Sequence, residues 1–247
     1  DRDPELEAAL HAAQLLQRGR GQVLLFEGTE GLGKTRLLHE IDLALQVRGT
    51  HVISIDARVG DRPFDAARAL CRELYESAPA VARQAAAPHE DVLGRLFPEL
   101  SPRPLSDAHE LADPRLRQEQ LQSALRSFLI AVSQRTPLAL LIDNLHACDH
   151  ESGVLFGNLA RDARQHPLLV IATLRPDVSS GAAAAACRTL RANGQTFPLE
   201  ELSPLELESW LGSLFGADTP NLPRLCQYVH AQTGGFPGQA VELLYSL

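Results

Sequence analysis

Gly28-Thr29-Glu30-Gly31-Leu32-Gly33-Lys34-Thr35 is the stretch on which the fold of this chain turns. It fits G-x-x-x-x-G-K-[ST], the pattern of a loop that wraps phosphate groups. The apolar run Val23-Leu24-Leu25-Phe26 precedes it, and Leu37, Leu38, Ile41 and Leu45 follow at helical spacing. The octet therefore lies between a strand and a helix, the context the pattern requires.

The chemistry follows from the residue types. Gly28, Gly31 and Gly33 carry no Cβ, so the backbone can curl closely around a polyphosphate. Successive N–H groups then converge as an anion nest, and the helix beginning near Lys34 adds its positive dipole end. Lys34 supplies a cation for the outer phosphates, and the Thr35 hydroxyl suits Mg²⁺. The expected nucleotide contacts run through Gly28, Thr29, Glu30, Gly31, Leu32, Gly33, Lys34, Thr35 and Arg36.

The 247 residues suffice for one large domain or two smaller ones. Apolar content of 45% and charged content of 22% are ordinary for a soluble protein. A net charge of −8 gives no support to general nucleic-acid binding. Cys71, Cys148, Cys187 and Cys226 are scattered, with no C-x-x-C pair, and are expected as reduced thiols in a cytoplasmic protein. No apolar stretch has membrane-spanning length and no signal peptide is visible. The chain has no Met, even at position 1, so it is expected to be an excised piece of something longer.

Along the chain, residues 3–18 pattern as an amphipathic helix with Leu6, Leu10, Ala13 and Leu16 on one side. His51–Asp56 reads as a second strand, and 64–87 as an Ala-rich helical stretch. Residues 88–114 hold prolines at 88, 98, 102, 104 and 114 and are expected to be mostly loop, with a short helix near 92–96. A long helix over 115–134 should turn Leu116, Leu121, Leu125, Phe128 and Leu129 to the core. Leu138–Ile142 is a continuous apolar run ending in Asp143. A helix near 151–165 and a buried strand at Leu168–Thr173 follow. Residues 181–186 are small and read as helix or flexible stretch, and Gln195–Leu199 as a last strand.

Strands alternating with helices, the clearest of them apolar throughout, predict an α/β fold with a parallel sheet covered on both faces. From Ser203 the pattern is helical only. Leu205, Leu207, Trp210, Leu211 and Leu214 mark one helix, Leu222, Leu225, Val229 and His230 a second, and 240–247 begins a third. A boundary near 201 is expected, with 1–201 as the nucleotide-binding core and 202–247 as a small all-helical lid.

Asp143 would stand at the C-terminal edge of a central strand, where open α/β sheets bind ligands, and could hold Mg²⁺ beside Thr35. Arg175, in Thr173-Leu174-Arg175-Pro176, ends the next strong strand at that edge and could sense a γ-phosphate.

Taken together, the chain resembles the signal-transduction ATPases with numerous domains, a branch of the AAA+ ATPases. Bacterial members include large LuxR-type transcription regulators and ATPase modules fused to Ser/Thr kinases. The matching pieces are Arg2–Leu6, the P-loop, Leu141-Ile142-Asp143-Asn144-Leu145-His146 with Asp149, Thr173–Pro176, and Gly234-Gly235-Phe236-Pro237. They span nearly the whole chain in the family's order. The resemblance implies ATP or ADP with Mg²⁺, Arg2 near the adenine, Arg175 as sensor of the γ-phosphate, and Pro237 where the lid meets the nucleotide. It also implies self-association, or contact with effector and sensor domains outside this sequence, as a switch in signalling or transcription.

One departure matters. The family's second acidic residue after the apolar strand is Asn144 here. An amide can orient water but cannot accept its proton, and general-base help is worth about 10²–10⁴-fold. Tight binding with slow or absent hydrolysis is therefore expected. Asp149 and Glu151 could substitute, although a helix cap is the simpler role for Asp149. Arg161, Arg164, Arg188 and Arg191 are arginine-finger candidates by position alone. The alternatives are a non-hydrolysing nucleotide-binding scaffold and a P-loop kinase or transferase, which would need an Arg-rich closing lid that the sequence does not offer.

Overall fold

The computed structural model describes residues 2–60, 62–94, 97, 113–178, 181, 183–216 and 219–246. Its strands are β1 (Gln22–Glu27), β2 (His51–Asp56), β3 (Leu138–Asp143), β4 (Leu168–Leu174) and β5 (Gln195–Pro198). They form one sheet in the order β2-β3-β4-β1-β5, with every pairing parallel. β3 and β4 are buried from end to end, which explains their unbroken apolar runs.

Alternate residues of each strand feed two cores. Leu25, Ile53, Leu140, Ile142, Val170 and Ala172 join the larger, while Leu24, Phe26, Ala139, Leu141, Leu169 and Ile171 join the smaller. The smaller face is covered by α1 (Asp3–Gln17) and α2 (Lys34–Val47), through Ala9, Ala12, Leu16, Leu37, Ile41 and Leu45. The larger is covered by α3 (Asp65–Ser77), α4 (Pro79–Ala86), α5 (Glu90–Leu93), α6 (Pro114–Arg135), α7 (His150–Asp162) and α8 (Ala184–Asn193). The α/β sheet covered on both faces is thus as expected.

Local differences have local causes. The helical stretch expected over 64–87 divides at Ala78, whose ψ of 61° leaves the helical range because Pro79 follows it. The short helix expected near 92–96 is Glu90–Leu93; residues 95 and 96, with Pro98, Pro102 and Pro104, lie outside the described residues. Leu116, expected in the core, is exposed on the first turn of α6. The small-residue segment leads into α8 at Ala184. The four cysteines form no disulfide and are buried, and burial, seconded by neighbouring Asp149, pushes Cys148 up to about 12.

Asp149 stands at the N-cap of α7, where Oδ1 accepts from Ser152 N at 2.9 Å. The same carboxylate accepts from Phe64 N at 2.8 Å and Ala66 N at 3.1 Å, so it also caps α3. One buried side chain thus joins two helices 83–85 positions apart. Both of its oxygens accept from backbone N–H groups, which is the helix-capping role.

After β5 come α9 (Pro204–Phe215), α10 (Leu222–Thr233) and α11 (Pro237–Ser246). Ser203 and Glu206 form a capping box that starts α9. α11 starts at Pro237, earlier than the sequence pattern suggests, because Pro suits a first helical turn. Leu207, Leu211, Leu222, Cys226, Val229 and Ala240 build a third cluster, while Leu205 and Leu214 face solvent. This helical segment touches the P-loop directly. Gly238 N donates to Gly31 O at 2.9 Å, and Leu202 N donates to Gly235 O at 2.8 Å. Gly235 has φ +87°, and a Cβ there would lie 2.3 Å from Leu202 O.

Two outcomes follow from these contacts. Asp149→Ala strands backbone donors at two buried helix starts and should lower stability by about 3 kcal/mol, as read from chemical denaturation. Gly235→Ala meets both a left-handed backbone and the Leu202 carbonyl. It should cost more than about 1 kcal/mol and should speed limited proteolysis between β5 and α9; an unchanged cleavage rate would count against this packing.

Candidate functional site

The C-terminal ends of β1, β3 and β4 meet under the loop that joins β1 to α2. Gly31 and Gly33 take φ of +88° and +84°, conformations that favour Gly, and no atom lies within 4 Å of a Cβ placed at Gly33. The loop is therefore an open backbone cradle, ending where the first turn of α2 leaves its N–H groups without helical partners.

Lys34 is buried, and its Nζ donates to Gly28 O at 2.8 Å and Thr29 O at 2.6 Å. Burial holds its ammonium below the ordinary lysine range; Asp143 opposes that shift, Arg175 adds to it and Glu30 opposes it. Such a cation gains from an incoming anion. Arg36 instead turns along α2, paired with Glu40 at 2.7 Å.

Asp143 is the hub. Its Oδ2 accepts from Thr35 Oγ1 at 2.7 Å, and its Oδ1 accepts from Thr173 Oγ1 and from Asn144 N, the latter at 3.0 Å. Carboxylate and hydroxyl oxygens are the hard donors Mg²⁺ takes, so Thr35 and Asp143 fit that ion.

Asn144 has φ 54° and ψ 40°, a left-handed conformation that Asn tolerates better than most residues. Its backbone N also donates to Thr173 Oγ1 at 2.9 Å. Its side-chain amide donates to Asp56 Oδ1 at 3.1 Å. Asp56 ends β2 directly opposite Asp143 in the register. Glu151, half-buried, accepts from the exposed Gln118 at 2.9 Å.

Arg175 follows β4 and pairs with Asp177 at 3.4 Å, half exposed. His146 lies close enough to Arg175, Lys34 and Asp143 to feel their charges; its Nδ1 is buried without a partner, and burial foremost keeps its pKa below the ordinary histidine value. Arg2 reaches the P-loop from the chain start, donating to Glu200 O at 2.6 Å and Leu32 O at 3.4 Å. Pro237 sets the first turn of α11, and Phe236 beside it packs against the α1–α2 core.

Of the arginine-finger candidates, Arg191 is tethered within its own chain. Its Nε donates to Glu27 Oε1 at 2.5 Å, and its Nη2 lies 3.5 Å from both Arg175 O and Pro176 O. Arg161 bonds Asn158 and shares a groove between α7 and α8 with Arg188. Arg164 lies in the 3₁₀ turn Ala163–Gln165 that leads into β4, at the sheet edge opposite Asp143.

Sequence reasoning missed Asp56, Arg58 and Glu27 as members of this neighbourhood; it placed Thr173 at this edge without a partner and named Arg191 only as an arginine-finger candidate. A signal existed for Asp56: β2 and β3 both end in Ile-Asp, and parallel pairing brings the two ends side by side.

Residues 1–171 match the sequence family described as the AAA ATPase domain. Over 174 residues the chain is 26% identical to an uncharacterized protein of Rhizobium meliloti (strain 1021), a match covering 66% of this chain and 17% of that protein. Cdc6p from Pyrobaculum aerophilum is similar with a TM-score of 0.61 at 16% identity, over 99% of this chain and 60% of that one. A STAND protein with a tetratricopeptide repeat sensor from Pyrococcus horikoshii is similar with a TM-score of 0.50 at 14% identity, over 96% of this chain and 28% of that one. The chain thus spans less than two thirds of each of these proteins, and the two solved structures speak for the fold alone. Among the described residues no helix is long and apolar enough to cross a membrane. The family match runs through the loop, Lys34, Thr35 and the Asp143 strand end: this chain belongs to the AAA ATPase domain family, and nucleotide binding comes with that membership.

Proposed function

We propose that this chain is the nucleotide-operated switch of a larger signalling or transcription-regulatory protein of the STAND type, working in the cytoplasm with ATP or ADP and Mg²⁺. Residues 1–201 act as the core and 202–247 as the lid. ADP holds the two closed, and ATP favours an open form that self-associates or engages effector and sensor domains. The contact that carries this reading is Gly238 N to Gly31 O at 2.9 Å. The helical segment grips the loop that must rearrange around phosphates, so loop occupancy and lid position bias one another.

Within that reading, Lys34 exchanges its two carbonyl partners for β- and γ-phosphate oxygens, Thr35 and Asp143 hold Mg²⁺, and Arg175 reports the γ-phosphate. Arg2, bonded to the loop and to the segment between β5 and α9, lies beside the base. Asn144 keeps turnover slow. The net charge of −8 favours nucleotide, not nucleic acid, as the direct ligand of this chain.

A second reading is favoured by Asn144 specifically: a scaffold in which nucleotide is a retained structural ligand. The two separate on exchange. The switch changes its sedimentation or proteolysis pattern between ADP and ATP, whereas the scaffold does not.

Lys34→Ala should weaken ATP and ADP binding by roughly 10- to 100-fold or more, measured by calorimetry; unchanged affinity would overturn the nucleotide site. The unmodified chain should turn ATP over slowly. Brisk hydrolysis, indifferent to Asn144→Asp, would overturn the slow-switch reading.

A further inference from the structure

The residue after Asp143 is an amide, but a carboxylate stands one strand away. Asp56 and Asp143 are register partners at the same sheet edge. Asp143 is buried and engaged by Thr35, Thr173 and Asn144 N. Asp56 is different: its side chain is 40% exposed. Asn144 Nδ2 holds Oδ1 at 3.1 Å. The left-handed backbone at Asn144 places its N–H on Asp143 and Thr173 while its side chain reaches Asp56.

The remaining capacity of Asp56 is taken by Arg58. The Arg58 backbone N donates to Oδ1 at 3.0 Å, Nε bridges both oxygens at 3.1 and 3.0 Å, and Nη2 donates to Oδ2 at 2.6 Å. Arg58 is solvent-exposed, with 61% of its side-chain surface accessible, so nothing buried must break for it to leave. Its guanidinium also lies within electrostatic reach of Asp143 and of Glu30 in the P-loop. Asp56 ends β2 beside the end of β3, at the same sheet edge as Asp143.

We propose that Asp56 is the carboxylate that orients and deprotonates the attacking water in this chain, that Asn144 holds it in position, and that Arg58 is a removable latch that keeps it idle. This rests on the reading of the chain as a nucleotide-operated switch that turns ATP over slowly. The water oxygen bonds to the γ-phosphorus as the bond from that phosphorus to the β–γ bridging oxygen breaks, and the electron pair leaves with ADP. The water proton passes to the Asp56 carboxylate and from there to the phosphate released. While Arg58 bonds both oxygens, the charged carboxylate is stabilised and is a poor proton acceptor. Slow turnover is then a property of the latch as well as of Asn144.

An ordinary surface ion pair between residues two apart would have no effect on turnover, which makes the test decisive. Asp56→Asn, Arg58→Ala and the double variant are compared with the unmodified chain in single-turnover ATP hydrolysis, in ATP and ADP affinity, and in the ATP:ADP ratio that remains bound after purification. Arg58→Ala should hydrolyse faster and carry ADP. Asp56→Asn alone should hydrolyse no faster than the unmodified chain and carry ATP, with affinities within a few-fold. The double variant should hydrolyse about 100-fold more slowly than Arg58→Ala. No acceleration in Arg58→Ala, or an acceleration that survives in the double variant, would overturn the latch while leaving nucleotide binding intact. Failure of the unmodified chain to bind nucleotide would remove the parent reading and the latch with it.

Discussion

The Asp143 carboxylate is the constraint on which the site depends. It is buried at the edge of a sheet, where an ionised group is costly unless donors surround it. Thr35 comes from α2, Thr173 from β4, and the backbone N of Asn144 from the turn after β3. Because β4 lies between β1 and β3, the P-loop must reach across one strand to bring Thr35 to Asp143. One anion thus fixes the start of α2, the registration of β3 with β4, and the sharp turn at Asn144. Lys34 completes the arrangement with the opposite charge, buried and held by two loop carbonyls. Both charges are held by contacts within the chain, and these are the contacts a phosphate with its counter-ion would replace.

That constraint explains the odd residue beside it. A left-handed turn immediately after β3 suits Asn, whose short amide can bond locally. The same turn sends that amide to β2, where Asp56 waits. What looks in the linear sequence like a lost acidic residue is, in the folded chain, an amide and a carboxylate shared between neighbouring strands. Arg191 does comparable work on the other side of β4, joining Glu27 at the end of β1 to the carbonyls after β4. The loop that carries Arg175 is therefore anchored to the P-loop strand.

Much of this was legible before folding was considered. Strands buried on both faces must be apolar throughout, so β1, β3 and β4 announce themselves, and the P-loop and Asp143 follow from motif and position. Helix ends set by proline, at Pro79 and Pro237, were legible in kind but were not assigned. The direction of single side chains was not: Leu116, Leu205 and Leu214 fit a helical apolar pattern yet face water, because the pattern does not say where the covering neighbour stops. Cross-strand partnerships were the least accessible. Asp56 and Asn144 are 88 positions apart, and nothing local marks them as neighbours until the order β2-β3 is known.

The bond between Gly238 and Gly31 has a thermodynamic consequence that runs in both directions. A helix that donates a hydrogen bond to the loop makes its own position a term in the loop's affinity for phosphate. By linkage, whatever factor the displaced helix imposes on nucleotide affinity, bound nucleotide must impose on the affinity of any partner that displaces the helix. Factors of about 5- to 150-fold are typical of such couplings. If ADP holds α11 on the loop and ATP releases it, a partner that pulled α11 away would weaken ADP relative to ATP, and bound ADP rather than ATP would oppose that partner.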